Sequence, residues 1–408
     1  MSEEYQLLSI EKAQEIILAH VQPLPAERVP ILEALGRVLA EDIYAEMDIP
    51  PLSNSAMDGY ALRAEDTRAA GPDQPVRLRI IYDLPAGYTT DVEVTPGTAI
   101  RIMTGAPIPA GADTVVPFEE TRREGEWVLI LRPHRRGQNV RLAGEDVQRG
   151  ALILERGTRL RPQEVGMLAA LGHPHVAVTR RPRVGILATG DEVIAVDAPW
   201  APGKIRNANS YSNAAQVLKY GGEPVLLGIA RDRIQEITDK IRHGLSQGLD
   251  LLLTSGGISV GDFDVVKKVL ATEGEISFWR VQMRPGKPFA FGQIGGVPLL
   301  GLPGNPVSSM VSFETFARPA ILKLLGQRDL RPPSVMAILD EDAPGKVGYR
   351  YFLRVTLEQR DGQYHARLTG EQGSGILLSM VRAQGLAIVP EDRPGLKAGE
   401  LAQVILLS

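Results

Sequence analysis

Acidic side chains accompany three glycine-containing loops, and this combination suggests phosphate chemistry assisted by a metal ion. The loops read ATGDEV, TSGGISVGDFD and GLPGNPVSS, at residues 188–193, 254–264 and 301–309. Backbone N–H groups in such turns bind phosphate, whereas carboxylates repel it unless a hard cation such as Mg²⁺ lies between them. Residues 254–264 therefore predict a phosphate on the glycine amides and Mg²⁺ on an aspartate.

A second interpretation of the acidic residues needs no ligand. Asp and Glu are favoured in the first turn of a helix because they complement the helix dipole. Asp191, Glu192, Asp262 and Asp264 lie in or just after the loops, and Asp232 follows another predicted strand. For Asp191 and Asp262 the sequence favours the helix-dipole interpretation over metal binding.

Two cations occupy a turn that is expected to face these loops. Arg284, Pro285, Gly286 and Lys287 form the basic turn, a name we keep for residues 284–287. Phe289 and Phe291 follow at strand spacing, so their side chains are expected to be buried and to anchor the turn. The alternative is a solvated surface turn. A turn that directs two cations towards these loops suits a substrate that carries several anionic groups.

Strands and helices alternate between residues 182 and 328, which predicts an α/β domain with a parallel or mixed sheet and helices on both faces. The carboxyl ends of parallel strands share one edge, where open α/β sheets bind ligands. A single glycine turn is weak evidence for a site, because tight turns need glycine anyway. Three such loops at one sheet edge make a binding site the better explanation.

The remaining sequence predicts three further domains around this α/β domain. Residues 9–21 have helical periodicity with Ser9 as a cap, and residues 31–44 continue in the same style. Short strands separated by Gly/Pro turns fill the region from residue 48 to about 140. The predicted domains are a discontinuous, small helical/β N-terminal domain (1–47 plus 146–181), a β-rich insert (48–145), the α/β domain (182–328) and a C-terminal β-barrel-like domain (329–408).

Composition excludes several classes of protein. The 408 residues are 44% hydrophobic and 23% charged, with a net charge of −4, so no broad basic surface for nucleic acid or an anionic membrane is expected. No apolar run reaches the roughly 20 residues of a membrane helix, and the acidic N-terminus does not resemble a signal peptide, which together predict a cytoplasmic protein. The absence of cysteine excludes disulfides, thiolate nucleophiles and cysteine-ligated zinc.

Six motifs in this order resemble one known family. They are NSAMDGYAL, RIMTGAPIPAGADTVVPFEE, GILATGDEV, TSGGISVGDFD, RPGKPFAFG and GLPGNPVSS, and they extend over essentially the whole chain. Together they are similar to the molybdopterin molybdenumtransferases, the MoeA family that includes the gephyrin E domain. The TSGG motif followed by S-x-G occurs alone in molybdopterin adenylyltransferases and competence-damage proteins, so the specificity lies in the complete set.

The resemblance implies an activity, a cofactor and partners. Family members insert molybdate into adenylylated molybdopterin and release AMP in a Mg²⁺-dependent reaction that yields molybdenum cofactor. The sulfur ligands for the metal belong to the substrate, which fits a chain without cysteine. Members are elongated homodimers with a composite active site, in which Asp58 and Thr104 of the insert act across the dimer. The molybdopterin adenylyltransferase is a further expected partner.

The resemblance also implies site residues, transferred position by position. Glu192 and Asp264 are expected near the pyrophosphate and its Mg²⁺, and molybdate is expected near the basic turn and the C-terminal domain. The catalytic candidates are Asp58, Thr104, Glu192, Asp232, Asp264, Arg284 and Lys287. The metal candidates are Glu192, Asp264 and Asp146. The candidates for binding the substrate are Thr189, Gly190, Ser255, Gly256, Gly257, Ser259, Gly261, Pro303, Gly304, Asn305, Arg354 and Ser374.

Two departures from the family pattern and three alternative functions remain open. Arg284 stands where many members have lysine, and Gly348-Tyr349-Arg350 displaces an expected arginine by one place, so Arg354 is preferred to Arg350 as the oxyanion ligand.

The alternatives are a molybdopterin adenylyltransferase, a tungstate-inserting paralogue and a non-catalytic scaffold of the gephyrin type. The residues alone do not distinguish molybdate from tungstate, because the two oxyanions have the same charge and nearly the same size.

Overall fold

The computed structural model describes residues 7–256 and 274–407, and in the second range the side chains from residue 280 onward. The chain divides into two compact units, each described here by itself. The first unit comprises Met1–Glu41, Arg156–Val165 and Pro174–Ser408, and the second comprises Asp42–Glu155 and Gly166–His173. This division is coarser than the four predicted domains, whose boundaries stay predictions.

The N-terminal part of the first unit contains β1 (Leu7–Leu8), α1 (Ile10–Ala19) and β2 (Ala26–Pro30). Ser9 caps α1 as predicted, because its side chain accepts a hydrogen bond from the Lys12 N–H. The helix predicted over residues 31–44 is wrong. Residues 31–36 form turns, and the backbone N–H groups of Gly36 and Leu39 donate to the carbonyls of Leu160 and Thr158 instead. Tertiary pairing thus overrides the local helical pattern.

The second unit is rich in β-structure, as predicted for the insert. A six-stranded sheet has the order β8-β5-β7-β6-β10-β9, and its buried residues form one apolar cluster around Leu78 and another around Ile100. The strands are β3 (Ile43–Tyr44), β4 (Asn54–Ser55), β5 (Gly59–Leu62), β6 (Val76–Leu84), β7 (Thr98–Ile102), β8 (Thr114–Pro117), β9 (Thr121–Glu124), β10 (Trp127–Ile130), β11 (Val140–Arg141) and β12 (Leu152–Leu154). Helix α2 (Pro162–Ala170) follows, and its residues from Gly166 onward belong to this unit.

The α/β part of the first unit is built on a seven-stranded mixed sheet of order β1-β19-β21-β22-β18-β14-β17. Its elements are β13 (His175–Thr179), β14 (Arg183–Thr189), β15 (Val193–Ile194), β16 (Ile205–Arg206), α3 (Ala208–Lys219), β17 (Glu223–Ala230), α4 (Ile234–Ser246), β18 (Leu251–Ser255), β19 (Gly274–Val281), β20 (Met283–Arg284), β21 (Pro288–Ile294), β22 (Val297–Leu302), α5 (Pro306–Ser312) and α6 (Arg318–Leu324), with a π-helical segment, Phe313–Ala317, joining the last two. Strands β22, β18, β14 and β17 are mutually parallel, whereas β19 and β21 are antiparallel neighbours.

Alternate residues of the central strands pack on opposite faces of this sheet. Leu251 and Leu253 join the large apolar cluster that includes residues of α1, α3, α5 and α6. Leu252 joins a second cluster that includes Ile237 and Ile241 of α4. The period of two along a fully buried strand therefore places helices on both faces, as predicted.

The C-terminal part of the first unit closes into a small barrel, as predicted. Strands β25, β26, β23, β29 and β27 pair in that order, and β27 pairs back with β25. Its elements are β23 (Ser334–Leu339), β24 (Ala343–Pro344), β25 (Arg350–Arg360), β26 (Gln363–Leu368), α7 (Leu377–Arg382), β27 (Gly385–Val389), β28 (Gly395–Leu396) and β29 (Leu401–Leu406). None of the helices described here is long and apolar enough to cross a membrane.

Candidate functional site

The residues at the carboxyl ends of β14, β18 and β22 meet at one edge of the α/β sheet. Gly256 has φ +91°, and a Cβ atom there would lie 2.5 Å from the Thr189 carbonyl oxygen, so only glycine fits this close approach of two loops. Gly304 of the third loop lies beside Gly256, because its Cβ position would be 3.6 Å from the Gly256 Cα. The convergence inferred from the parallel strand order is therefore present in the fold.

Described residues of these loops, among them Glu192, Gly256 and Gly304, form one wall of a cavity of about 680 Å³ that lies within the first unit. Its other walls come from the basic turn and from the C-terminal barrel. Predicted site residues that line the cavity are Glu192, Gly256, Arg284, Lys287, Pro303, Gly304, Asn305, Arg354 and Ser374. Residues that the sequence analysis did not single out also line it, among them Ile205, Ser308, Pro344, Tyr351, Leu353 and Gln372.

Strand pairing brings the basic turn against the barrel. Strand β20 pairs in parallel with the start of β25, where Arg284 aligns with Tyr351. Phe289 and Phe291, which follow the turn, are fully buried, as predicted, and Phe289 packs against the Phe316 ring at a centroid distance of 4.3 Å. The turn is thus anchored by the sheet on one side and by the barrel on the other.

Arg354 is a fully buried cation in the cavity wall. Its guanidinium donates to Ser379 Oγ at 3.2 Å and to the carbonyl oxygens of Phe352 and Gly373 at 3.3 and 3.4 Å. No carboxylate among the residues with described side chains forms an ion pair with it, and burial lowers the pKa of Arg354 to about 10. A buried guanidinium without countercharge is costly, so it favours an anion in the cavity.

Arg350 has a different environment from Arg354. Its guanidinium makes two hydrogen bonds with Glu391, at 2.9 and 2.7 Å, and one with Glu11 at 2.6 Å. The positive charge of Arg350 is therefore already compensated by protein carboxylates. Of the two arginines weighed from the sequence, only Arg354 lines the cavity.

Carboxylates gather beside the loop after β14. Partial desolvation raises the pKa of Asp232, and the negative charges of Asp191 and Glu192 raise it further. Lys204 donates to the Asp191 carbonyl oxygen at 2.6 Å. Over residues 7–256 and 280–407, no group of three or more potential ligand side chains is arranged to hold a metal ion without help from a substrate.

Other predicted residues lie away from the cavity lining or outside the described residues. Thr189 and Ser255 are buried at strand ends, and Gly190 lies against the Glu192 carboxylate. Asp58 belongs to the second unit, where its Oδ1 accepts hydrogen bonds from the Thr104 N–H at 2.7 Å and hydroxyl at 2.8 Å. Asp146 also belongs to the second unit. Gly257, Ser259, Gly261 and Asp264 lie outside the described residues.

Comparison with known proteins places the whole chain in one family. Residues 8–172 match the MoeA N-terminal region (domain I and II), residues 185–323 match the "Probable molybdopterin binding domain", and residues 336–407 match the MoeA C-terminal region (domain IV). A molybdopterin molybdenumtransferase of Nostoc sp. is 37% identical over 98% of this chain and 94% of its own length. The chain belongs to the molybdopterin molybdenumtransferase family.

Two more relatives agree with this assignment. A molybdopterin molybdenumtransferase of Bacillus subtilis is 36% identical over 93% of this chain and 90% of its own. A crystal structure of the molybdopterin biosynthesis MoeA protein of Pyrococcus horikoshii OT3 superimposes with a TM-score of 0.85, at 36% identity, covering 98% of this chain and all of that one. The protein is thus a transferase of molybdenum cofactor biosynthesis, and a molybdenumtransferase fold surrounds the cavity.

One contact in this molybdenumtransferase was missed by sequence reasoning. The ring of Tyr349 contacts both cations of the basic turn, with Arg284 Cζ at 4.9 Å and Lys287 Nζ at 5.4 Å from its centroid. In the sequence, Tyr349 is noticeable only because it stands where the family pattern has an arginine. Its real neighbours depend on the pairing of β20 with β25, which no local pattern encodes.

Proposed function

We propose that the chain inserts molybdate into adenylylated molybdopterin and releases AMP, and that it does so in the cavity described above. The observation that carries this proposal is Arg354, a buried guanidinium without a carboxylate partner among the described side chains. The family assignment supplies the reaction class, and the chemistry of the cavity wall supports an oxyanion at this position.

The oxyanion would lie between Arg354 and the basic turn. Arg284, Lys287 and Arg354 line the same cavity, together with the hydroxyl of Ser374. A dianion such as molybdate compensates several positive charges at once and accepts hydrogen bonds from guanidinium, ammonium and hydroxyl donors. Ser374 is held at the start of α5 because its carbonyl oxygen accepts a hydrogen bond from the Val307 N–H at 3.1 Å.

The adenylylated substrate would extend along the glycine loops. Gly256 and Gly304 present backbone without side chains to the cavity, which lets a pyrophosphate approach closely. Placing the pyrophosphate there puts the pterin dithiolene on the side of the cavity that carries the basic turn. The substrate sulfurs and the oxyanion then share one enclosed volume, and this positioning accounts for most of the expected acceleration.

The acidic residues fit a Mg²⁺ ion that is shared with the substrate. Glu192 faces the cavity, and the negative charges of Asp191 and Glu192 add to the rise in the pKa of Asp232 that burial causes. A cation would relieve this crowding of negative charge. Magnesium is commonly held by one or two carboxylates together with substrate phosphates and water, so a complete protein cage is not required. We assign Glu192 and Asp264 as its ligands, with Asp146 as a further candidate. Bound there, Mg²⁺ would neutralise charge that develops on the pyrophosphate as AMP leaves.

A homodimer would complete the site. Several large apolar side chains of the second unit are exposed, including Leu52, Met57 and Leu142, with exposed fractions of 54%, 40% and 61%. The pairing of β4 with β11 brings the chain next to Leu142 beside the segment that contains Leu52, Met57 and Asp58. A second copy of the chain is a fitting cover for such a surface. In this arrangement Asp58 and Thr104 of the partner subunit contribute to the catalytic cavity.

The direct test is AMP release from adenylylated molybdopterin with and without molybdate and Mg²⁺. We expect AMP release that requires both, with molybdenum recovered on the product. Consumption of ATP without any need for molybdate would instead indicate an adenylyltransferase, and no turnover under any condition would indicate a scaffold. Equimolar tungstate in the same assay, followed by analysis of the metal in the product, decides which oxyanion the enzyme prefers.

A further inference from the structure

Tyr349 is a shared neighbour of both cations in the basic turn. Arg284 Cζ and Lys287 Nζ lie 4.9 and 5.4 Å from the centroid of its ring. The Lys287 ammonium, with a smaller contribution from the charge of Arg284, lowers the pKa of the Tyr349 phenol. Within the part of the chain whose side chains are described, neither cation forms an ion pair with a carboxylate.

The backbone around Tyr349 is held on both sides. The Tyr349 N–H donates to the Lys346 carbonyl oxygen at 3.2 Å, and the Gly348 N–H donates to the Glu391 carbonyl oxygen at 2.7 Å. The Arg350 N–H donates to the Gln282 carbonyl oxygen at 3.0 Å, two residues before the basic turn. The Arg350 guanidinium holds Glu391 through two further hydrogen bonds. The ring is therefore held against the turn by its neighbours on either side.

The choice of an aromatic ring at this position has a physical consequence. Two like charges in a four-residue turn repel each other, and something must hold them together when no anion is bound. A carboxylate would do so but would also cancel the charge that an oxyanion needs. The negative face of a tyrosine ring attracts cations without carrying a formal charge, so it orders both side chains and leaves their charge available.

We propose that Tyr349 is a positioning residue that preassembles Arg284 and Lys287 for the oxyanion. This inference rests on the proposed function of the cavity as a molybdate site. Tyr349 acts through the two cations and has no contact with the reacting atoms. Its loss weakens oxyanion binding, while the site for the adenylylated substrate keeps its affinity.

The first experiment is a calorimetric titration of the full-length protein, in whichever oligomeric state it is purified, with molybdate alone. Replacing two cation–π contacts should weaken molybdate binding by about five- to thirty-fold in Tyr349→Leu. Tyr349→Phe keeps the ring and should lose no more than about five-fold. Tyr364→Leu is the matched control, since Tyr364 is a partly exposed tyrosine of β26 outside the cavity lining, and it should bind like wild type.

Two different failures can be told apart in this titration. If the wild type binds molybdate and Tyr349→Leu binds it equally well, the role of Tyr349 is refuted while the oxyanion site stands. If the wild type itself binds no molybdate, the proposed site fails and the inference fails with it. Thermal unfolding of each variant identifies a general folding defect, which is expected to be absent in Tyr349→Phe.

A double-mutant cycle tests whether Tyr349 acts through the basic turn. Lys287→Met removes one of the two cations, so Tyr349→Leu should cost at most about five-fold in that background, less than in the wild-type background. In steady-state kinetics the change should appear in the KM for molybdate, with kcat and the KM for the adenylylated substrate altered less than two-fold. Full additivity, or an equal loss in both KM values, would show a merely structural role.

Discussion

At the scale of single residues, the two arginines of β25 show how partners decide function. Arg350 and Arg354 belong to the same strand, yet Glu391 and Glu11 compensate the charge of Arg350, while Arg354 meets only neutral acceptors. The ion pairs of Arg350 can stabilise the fold, whereas the uncompensated charge of Arg354 can bind an anionic ligand. The oxyanion role is therefore assigned to Arg354.

Replacing Arg354 should separate function from stability. In Arg354→Met we expect the KM for molybdate to rise by roughly 10- to 100-fold, because charge-assisted hydrogen bonds contribute about 1.5–3 kcal/mol. The free energy of unfolding should stay unchanged or rise by about 1 kcal/mol, since an uncompensated buried charge is removed. Steady-state kinetics and urea unfolding measure the two effects. Arg350→Met should show the reverse pattern, and equal KM values for the two variants would contradict the assignment.

Glu192 provides a separate prediction about the metal. In Glu192→Gln the Mg²⁺ concentration for half-maximal AMP release should rise by about ten-fold or more, because the carboxylate ligand is lost while the shape of the side chain is kept. The KM for molybdate should change little at saturating Mg²⁺. Glu236→Gln is a suitable control on the neighbouring helix α4. An unchanged Mg²⁺ requirement would remove Glu192 from the proposed metal site.

At the scale of elements, helix α2 begins with a carboxylate that accepts hydrogen bonds from both the backbone and the side chain of the residue that precedes the helix. Glu164 accepts the Arg161 N–H at 2.8 Å and the Arg161 guanidinium at 2.5 Å, so the start of the helix is closed by its own third residue. The Arg161 hydrogen bond lowers the pKa of Glu164 to about 2 from an ordinary value of 4.5. The ionised carboxylate is therefore the form that stabilises this end of α2.

The pH dependence of stability should report this contact. A carboxyl with a lowered folded-state pKa contributes stability above about pH 4.5, and that contribution is lost as the pH falls through about 2. Glu164→Gln should unfold about 1–2 kcal/mol more easily at pH 7, a figure reduced because the Arg161 side chain is largely exposed. Urea unfolding of both proteins from pH 7 downward should show the difference shrinking below about pH 4.5. A difference that stays constant with pH would contradict this role.

At the scale of the whole molecule, the proposed active site takes its catalytic residues from two copies of the chain. The cavity belongs to the first unit, while Asp58 and Thr104 belong to the second. The exposed apolar residues Leu52, Met57 and Leu142 motivate the proposal that two copies associate. If the dimer is composite, every active site needs Asp58 of the partner subunit together with Arg354 of its own chain.

Mixed dimers test this arrangement directly. Asp58→Asn and Arg354→Met homodimers should each have low activity. After joint refolding or co-expression, a heterodimer of the two variants contains one intact composite site, so its activity should be about half that of wild type. Tagged heterodimers can be purified and assayed for AMP release, with sedimentation to verify the dimer. Absence of recovery would mean that both residues serve a site within one chain.

Local sequence patterns were sufficient to predict much of the fold and the part of the cavity wall that the glycine loops form. The alternation of β-branched and apolar runs with helices predicted the α/β sheet, and glycine loops after its strands predicted the wall around Gly256 and Gly304. The helix expected over residues 31–44 was wrong because backbone groups there pair with residues distant in sequence. The same kind of long-range pairing hid the neighbours of Tyr349.

The residue types alone show which chemistry the chain offers: carboxylates, arginines, lysine and bare backbone, without thiolates, on the loops of an α/β domain. Those features depend on residue type and on short periodicities, which the sequence displays directly. Tertiary structure alone decided which cations remain uncompensated and which are paired. That outcome depends on the register between β20 and β25, which brings Arg284 beside Tyr349 although the two residues are 65 positions apart in the sequence. It also depends on which carboxylates reach each guanidinium once the chain has packed.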